Sequence, residues 1–469
     1  MTEALWKLGA GETAARIAGR EISAVEVVDT HLSRLDVVNP ALNAITRPLH
    51  ESARAEAKVA DAALARGDML GALHGVPVTI KDNIDIAGQS SPNGLPALKD
   101  MVAEANSPVV DNLLRAGAIV IGRTNAPEFS LRWHTDNPLF GATVNPWNLE
   151  WTPGGSSGGA SASLSAGVGC LAHGNDLGGS VRYPAYCTGL ATIRPTQGRI
   201  PAFNPTAKEE RPPLMLLMST QGPITRSVAD TRLGLEVMAG GDARDPWWVP
   251  APLEGPKLDR GMKVALVMKP PGTPVEPEVT EALERAGKML ADAGYDVDRV
   301  DPPEIARCGE VWTGLITAET RAIMGKAMRE LGSADIVRSL DYFESFAPEV
   351  DLAGYMRLVG ERTRLIRAWM QFLETYPLIV GPVSNIPPFR PNEDVGSRAE
   401  VERIFRAQTL MVSVNLLGLP SVAVCTGLRE GLPGGVQIIG SRFREDLCLD
   451  AAQVIEDAAG QVTPIDPRH

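Results

Sequence analysis

The spacing of apolar and polar residues along the chain predicts alternating helices and strands. Amphipathic or alanine-rich helical patterns cover residues 23–39, 50–66, 107–117, 277–294 and most of 304–373. Short apolar or alternating runs, which are typical of strands, cover residues 75–81, 118–122, 263–269, 295–300, 378–383 and 421–425, with a further helix between the last two. Because helices and strands alternate, we expect an α/β fold with a large mixed β-sheet sandwiched between α-helices.

Composition and charge narrow the class of protein. The 469-residue chain has no run of about 20 apolar residues, so we expect no membrane span. Its first residues lack a basic region followed by an apolar stretch, and its five cysteines lack the spacing of metal ligands. These features predict a cytoplasmic protein with reduced thiols. The formal net charge of −12 disfavours a broad surface for nucleic acid.

The most informative stretch, residues 151–184, contains two clusters of glycine and serine: GGSSGG at 154–159 and GGS at 178–180. Such a run is often a flexible linker, but here small and apolar residues follow it, which a linker would expose. Glycine lets main-chain N–H groups approach a ligand closely, and serine supplies a nucleophilic hydroxyl. This combination suits acyl transfer, in which negative charge develops on a carbonyl oxygen.

Other sites built from serine and glycine do not fit these residues. A G-x-S-x-G nucleophile elbow, present at 155–159, needs an acid and then a histidine further along the chain. The histidines after Ser157 are His173, which is too near in sequence, and the terminal His469. The sequence also lacks the Gly-Lys-Ser/Thr of a P-loop and any Ser-x-x-Lys pair.

A lysine offers an alternative base. The predicted strand at 75–81 (GVPVTIK) alternates apolar residues and ends in Lys81. A lysine that reaches water from the end of a strand is the ordinary interpretation of this pattern. Because no histidine serves the serine, however, Lys81 becomes the best candidate for the base. Burial lowers the pKa of a lysine from about 10.4 toward neutrality, and only the neutral amine accepts a proton.

These motifs together resemble the amidase signature family of serine hydrolases. The resemblance is carried by VTIKDNI around Lys81, by GGSSGG, and by GNDLGGSVRYP at 174–184, with separations similar to those of the family's Ser–cis-Ser–Lys triad. Further similar segments lie at residues 122–129, 140–147, 194–196, 222–223, 418–421 and 435–440. The resemblance implies a single domain over residues 1–469 with a catalytic core at about 70–230. It also implies hydrolysis of a linear amide without a cofactor or a metal ion.

The resemblance assigns roles to the three residues of the triad. Ser180 is implied as the nucleophile that forms an acyl-enzyme. Ser156, which would follow a cis peptide bond, is implied as a proton relay, and Lys81 as the base.

Neighbouring residues also receive roles by resemblance. The main-chain N–H groups of Leu177, Gly178, Gly179 and Ser180 are implied as the oxyanion hole. Ser157 is expected to hydrogen-bond near the lysine, and Asp176 and Arg182 are expected to support the site from behind. Asn175 stands where the family usually carries threonine or serine, outside the triad.

The expected substrate pocket includes Leu131, Arg132, Trp133 and Gly155. Trp133 favours an apolar or aromatic group, whereas Arg132 is alternatively a ligand for a carboxylate. Candidates for further walls, with ordinary core positions as the alternative, are Trp312, Tyr376 and Phe389. Aryl amides, aryl carbamates or ureas, small aliphatic amides and esters all remain open as substrates.

Two alternatives to a stand-alone amidase remain. One is the glutamine-hydrolysing component of a tRNA-dependent amidotransferase, although LMLLMSTQGP at 214–223 differs from the Ser-Ser-Leu-Asp-Gln pattern of that component. The other is a non-catalytic scaffold that keeps the fold without turnover, which the intact Lys81, Ser156 and Ser180 disfavour. The expected partner is a small-molecule amide, with no nucleic acid and no membrane, and a homodimer stays open as the assembly.

Overall fold

The computed structural model describes residues 4–257 and 261–468. Within them, eleven strands form one mixed β-sheet with the order β1-β3-β2-β4-β6-β5-β10-β11-β9-β7-β8. The strands are β1 (Ile45–Pro48), β2 (Pro77–Lys81), β3 (Ile119–Thr124), β4 (Leu171–Asp176), β5 (Ala191–Arg194), β6 (Thr220–Thr225), β7 (Lys263–Leu266), β8 (Asp296–Asp298), β9 (Leu378–Gly381), β10 (Ser421–Arg429) and β11 (Leu432–Gly440).

The α-helices connect and cover these strands. They are α1 (Ala10–Ala18), α2 (Ala24–Leu42), α3 (His50–Arg66), α4 (Pro108–Arg115), α5 (Gly158–Ser165), α6 (Arg182–Thr188), α7 (Pro213–Met218), α8 (Val228–Met238), α9 (Pro277–Asp292), α10 (Ile305–Glu319), α11 (Gly325–Leu331), α12 (Ala334–Phe346), α13 (Leu352–Thr375), α14 (Arg398–Ala407), α15 (Thr409–Leu417) and α16 (Glu445–Ala459). A π-helical turn at Thr320–Met324 joins α10 to α11, and short 3₁₀ turns lie at Leu5–Lys7, Pro96–Leu98, Glu128–Ser130 and Glu393–Val395.

The sheet buries both of its faces, which confirms the expected α/β sandwich. In β7, Val264 and Leu266 pack in one hydrophobic core, whereas Ala265 between them packs in another. Successive side chains of a strand point to opposite faces, so these two cores lie on opposite sides of the sheet. Helices α8, α9 and α16 contribute to the first core, and α10, α13 and α15 to the second.

Several predicted boundaries are close to the observed ones because capping residues mark them. Ser23 caps α2 and forms a capping box with Glu26, and Pro108 begins α4 after Ser107. The alanine-rich helix α3 spans His50–Arg66, as predicted. The pattern did not predict β1, β4, β5, β6 and β11, whose glycines, prolines and polar residues interrupt the apolar alternation.

The order of the strands brings the ends of β2 and β4 together, as the third and fourth strands from the β1 edge of the sheet. These strands are parallel, with Thr79 opposite Ala172. Lys81, the last residue of β2, therefore lies at the same edge as the end of β4 and the turn that follows it. None of the helices in the described part of the chain is long and apolar enough to cross a membrane.

Candidate active site

Lys81 is fully buried at the end of β2. Its Nζ lies 2.7 Å from the Ser156 Oγ and 2.7 Å from the Asn175 Oδ1. Burial lowers the pKa of Lys81 well below its usual value, although the nearby Asp176 carboxylate opposes this shift and the Arg211 guanidinium adds to it. Lys81 is therefore an amine that can be neutral at a pH where an exposed lysine is charged.

Ser156 lies in the loop before α5. The peptide bond between Gly155 and Ser156 is cis, as predicted. Gly155 packs against the main chain of residues 132–134, where an added Cβ would lie 2.5 Å from the Arg132 carbonyl oxygen. The next residue, Ser157, donates its main-chain N–H to the Ser180 carbonyl over 3.3 Å, which joins the two glycine and serine clusters.

Ser180 lies in the turn between β4 and α6, and the Asp176 carboxylate holds this turn. Asp176 accepts hydrogen bonds from the N–H groups of Gly179 (2.8 Å) and Val181 (3.3 Å). The buried Arg182 binds the same carboxylate through Nε at 3.1 Å and Nη2 at 3.2 Å. Burial alone would raise the pKa of Asp176, but the Arg182 guanidinium and the hydrogen bonds hold it well below its usual range. Asp176 and Arg182 therefore hold the turn that carries Ser180 through direct contacts.

The four expected oxyanion donors do not have equal availability. The Gly179 N–H is bonded to Asp176, so Gly179 is not free to bind a substrate oxygen. Among the described residues, no protein acceptor binds the N–H groups of Leu177, Gly178 or Ser180. The expected oxyanion hole therefore has three available N–H groups, and Gly179 contributes to it through the shape of the turn.

Two tryptophans orient the peptide groups of this turn. The Trp133 Nε1 donates to the Gly178 carbonyl at 2.8 Å, and the Trp312 Nε1 donates to the Leu177 carbonyl at 3.3 Å. The C=O and N–H of a trans peptide point in opposite directions. The first bond therefore directs the Gly179 N–H, which binds Asp176, and the second directs the Gly178 N–H.

The expectation for Ser157 is wrong in one respect. Its Oγ is buried and has no hydrogen-bond partner in the described structure, so it does not bind the lysine. The polar partner of Lys81 that the sequence did not identify is Asn175, whose side-chain oxygen contacts Nζ directly. The main chain of Ser157 still contacts the turn of Ser180, so this residue contributes through its backbone.

A mainly apolar cavity of about 900 Å³, measured with its open mouth, reaches Ser180. Its walls combine the turn after β4, the segment 130–133 and helices α10, α12 and α14. The aromatic rings of these walls contact one another, with centroid distances from Phe405 of 6.0 Å to Trp133 and 5.5 Å to Phe343. The aliphatic lining includes Leu131, Ile316, Met328, Ile336, Leu340, Val401 and Ile404.

Arg132 lies on this cavity but is already paired. Its Nη2 donates to Asp394 at 2.7 Å and to Asn392 at 2.8 Å, and its Nε binds Asp394 at 3.3 Å. The Asp394 carboxylate therefore balances the charge of Arg132, which disfavours the alternative that Arg132 binds a substrate carboxylate.

The other expected pocket residues divide into two groups. Leu131, Trp133 and Trp312 line the cavity, but Gly155 does not, because it packs on the main chain behind Trp133. Tyr376 and Phe389 are also outside it. Phe389 stacks on Tyr183 with a 5.7 Å centroid distance, and Tyr376 stacks on Phe372 and donates its hydroxyl to Asp298 at 3.1 Å.

Comparison with known proteins identifies the family. Residues 26–449 match the family model described as Amidase. The indoleacetamide hydrolase of Bradyrhizobium diazoefficiens is 49% identical over 457 residues, which cover 97% of this chain and 87% of that protein. A glutamyl-tRNA(Gln) amidotransferase component from Heliobacterium modesticaldum is 30% identical, over 94% of this chain and 94% of that protein.

A solved structure agrees with these relatives. A bacterial aryl acylamidase of the amidase signature family is 28% identical and superimposes with a TM-score of 0.83, over 99% of this chain and 98% of that chain. The chain thus belongs to the amidase signature family. It is an amide-hydrolysing enzyme.

Sequence reasoning missed part of the site for identifiable reasons. Phe343 and Phe405 lie on amphipathic helices, and an apolar residue that lines a cavity has the same spacing along a helix as one that packs in the core. Asp394 lies in the 3₁₀ turn Glu393–Val395, 262 residues from Arg132, so no local motif connects them. Asn83 binds Asn175, and one indication in the sequence that it lies near the site was its position two residues after Lys81.

Gly179 provides a test of the turn geometry. Its φ is +98°, and an added Cβ would overlap the Sδ of Met411. We expect Gly179→Ala to lower kcat/KM for amide hydrolysis by at least ~100-fold and to cost about 1–3 kcal/mol of unfolding free energy, because it combines backbone strain with a steric clash. Steady-state kinetics and urea unfolding measure the two effects.

Gly67→Ala is the matched control. Gly67 also has a positive φ, +79°, but no atom lies within 4 Å of the added Cβ. This variant should lose only about 1 kcal/mol and keep its activity. A Gly179→Ala enzyme with the activity and stability of Gly67→Ala would show that the turn tolerates a side chain.

Proposed function

We propose that this enzyme hydrolyses the carboxamide of a small aromatic acid, of the arylacetamide type, through an acyl-enzyme on Ser180. The observation that carries the proposal is the aromatic cavity that ends at Ser180 beside three unpaired N–H groups. Indole and benzene rings suit such walls, because aromatic pairs gain about 0.5–1.5 kcal/mol beyond the area they bury. The 49% identity with an indoleacetamide hydrolase supports an indole-3-acetamide-like substrate.

The charge of the cavity supports an uncharged substrate. The ionised side chains that line it, Arg132 and Asp394, bind each other. A free glutamine molecule carries an ammonium and a carboxylate, and neither would find an unpaired ionic partner among the described lining residues. This observation favours a stand-alone amidase over the glutamine-hydrolysing component of a tRNA amidotransferase.

Ser180 is the best candidate nucleophile because, among the serines of the two glycine and serine clusters, it is the one that lines the cavity, beside the unpaired N–H groups. It exposes 8% of its surface, whereas Ser156 exposes 1% and Ser157 is fully buried. In the proposed first step, the Ser180 oxygen attacks the amide carbon, its proton passes to Ser156, and the Ser156 proton passes to neutral Lys81.

The resulting oxyanion would accept hydrogen bonds from the N–H groups of Leu177, Gly178 and Ser180, which is the electrostatic contribution to catalysis. The C–N bond then breaks as the proton on Lys81 returns through Ser156 to the leaving nitrogen. Ammonia departs, and the acyl group remains as an ester on Ser180.

Water completes the cycle by the same route. It attacks the ester carbon while its proton passes through Ser156 to Lys81, and a second oxyanion forms at the same donors. The C–O bond to Ser180 breaks, and the proton returns to the Ser180 oxygen. One amide and one water are thereby converted into one carboxylic acid and one ammonia, with Lys81 neutral again.

The nucleophile can be tested by Ser180→Ala. We expect it to abolish turnover and covalent labelling by a fluorophosphonate, because no other serine would combine access with the oxyanion donors. Kinetics and peptide mapping of the label provide the measurement. Ser163→Ala is the control, since the hydroxyl of this buried serine of α5 binds the Ala160 carbonyl and no other group of the described structure, so the variant should keep its activity. A label on Ser157, or wild-type turnover by Ser180→Ala, would contradict the assignment.

The base can be tested by pH. Lys81 accepts a proton only when neutral, so kcat/KM should rise with pH through the ionisation of Lys81 and stay high on the alkaline side. We call this rising part of the pH profile the limb. Because burial lowers the pKa of Lys81, the midpoint of the limb should lie well below the usual lysine pKa of about 10.4. Lys81→Ala should lower the rate by about 10²–10⁴-fold and remove the limb. If the limb persists in an active Lys81→Ala enzyme, another group is the base.

The substrate class can be tested with a panel of indole-3-acetamide, phenylacetamide, an anilide, an aryl carbamate, acetamide and glutamine. We expect kcat/KM for indole-3-acetamide to exceed that for acetamide by at least ~100-fold. One methylene group in an apolar pocket already changes kcat/KM by ~10–200-fold, and a whole ring buries more surface. Phe343→Ala should raise KM for the aromatic amides. Trp247→Ala, which truncates a ring that is 49% exposed outside the cavity, should not. Preference for glutamine or acetamide would contradict the proposal.

A further inference from the structure

A chain of polar side chains begins at Lys81 and leads away from the triad. The Lys81 Nζ donates to the Asn175 Oδ1 at 2.7 Å, and the Asn175 Nδ2 donates to the Asn83 Oδ1 at 3.1 Å. The Asn83 Nδ2 then donates to the Ser130 Oγ at 3.0 Å, which donates to the Asn93 Oδ1 at 2.6 Å. The chain thereby connects the base to Ser130, a residue of the cavity wall.

The direction of these bonds fixes the orientation of Asn175. Its NH₂ group binds the Asn83 oxygen, so its own oxygen faces Lys81. The Asn83 main-chain carbonyl is held in turn by the Asn204 Nδ2 at 2.9 Å. The amide of Asn175 therefore cannot exchange its two ends without breaking hydrogen bonds on both sides.

An amide oxygen affects a neutral amine differently from a hydroxyl group. A carbonyl oxygen carries no proton, so it can bind an N–H of Lys81 but never donate to the lone pair. A threonine or serine hydroxyl can do both, and it could therefore compete with Ser156 for the lone pair. With one N–H of Lys81 bound to Asn175, the lone pair is left for the hydroxyl of Ser156, which lies 2.7 Å from Nζ.

We propose that Asn175 is a positioning residue for the base: its side-chain oxygen binds one N–H of Lys81 and directs the lone pair toward Ser156. This inference rests on the proposed role of Lys81 as the base. Asn175 does not touch the substrate or the reacting atoms, so it acts through Lys81.

The other groups around Lys81 determine what a change at residue 175 would do. Asp176 at the end of β4 raises the pKa of Lys81, and Arg211 before α7 lowers it. His173 of β4 binds Gln221 at 2.8 Å, and burial lowers its pKa to about 3, so it stays neutral through the working range. The ammonium form of Lys81 therefore depends on Asp176, on Arg211 and on its direct acceptors.

Two substitutions of Asn175 should move the pH profile in opposite directions. Asn175→Asp is nearly isosteric and sets a carboxylate against Nζ, which stabilises the ammonium. The limb of kcat/KM should therefore move to higher pH by about one to three units. Asn175→Leu removes the acceptor and disfavours the ammonium. Its limb should move to lower pH, and kcat on the plateau should fall about 10-fold while KM changes less than about two-fold.

The measurement is the pH dependence of kcat and KM for an aromatic amide, with circular dichroism and thermal unfolding to confirm the native fold. Asn148→Asp is the control, because it adds the same charge at a half-buried turn residue that accepts from the Glu150 N–H. Its limb should not move. A merely structural role of Asn175 predicts reduced stability without opposite shifts.

Unshifted limbs in folded Asn175→Asp and Asn175→Leu enzymes would overturn the inference. If both variants lose the fold, Asn83→Leu provides the test, because it removes the acceptor that holds the Asn175 amide and lets the amide rotate. An unchanged kcat in this variant would also overturn the inference. A limb that persists in Lys81→Ala would instead refute the proposed base itself. If the pH limb disappears in Lys81→Ala but stays at the same pH in the Asn175 variants, only the positioning role is refuted.

Discussion

The Asp176 carboxylate organises the centre of the molecule. It is fully buried, and its two oxygens bind Arg182, the side-chain amide of Asn415 and two N–H groups of the turn that carries Ser180. An unpaired charge at such a position would cost several kcal/mol, so carboxylate, guanidinium and turn have to assemble together. Arg182 begins α6, which directly follows the turn, and Asn415 lies in α15, so this one group joins the end of β4 to a helix 239 residues further along the chain.

The same pairing leaves Lys81 free to be neutral. A carboxylate one residue from Asn175 would strongly favour the ammonium form if its charge were uncompensated. Arg182 compensates it, with Arg194 Nε at 3.9 Å as a further positive group. Burial then dominates at Lys81 and lowers its pKa. The low pKa of the amine thus comes first from its burial, and the ion pair behind the turn limits the opposing effect of the Asp176 carboxylate.

The cavity and the polar site come from different parts of the fold. Most of the polar residues lie where β2 and β4 end, on these strands and the turns after them, and Ser156 joins them from the loop before α5. The cavity walls come mainly from α10, α12 and α14, which pack over that edge. The polar site and most of the cavity wall therefore come from different elements, which Trp312 of α10 connects through its hydrogen bond to the Leu177 carbonyl.

The sequence by itself determined the local features. Capping residues such as Ser23 and Pro108 marked helix ends, because caps act over a few residues. The glycine and serine clusters and the strand ending in Lys81 identified the family and the candidate triad. Tertiary structure alone decided which N–H groups of the turn stay unpaired and that Arg132 pairs with Asp394 rather than with a ligand. It also decided that Asn175 and Asn83 support the lysine. In these cases, the partner of a donor or acceptor is a side chain that the fold brings close from elsewhere. The spacing of residues along one chain does not specify such partners.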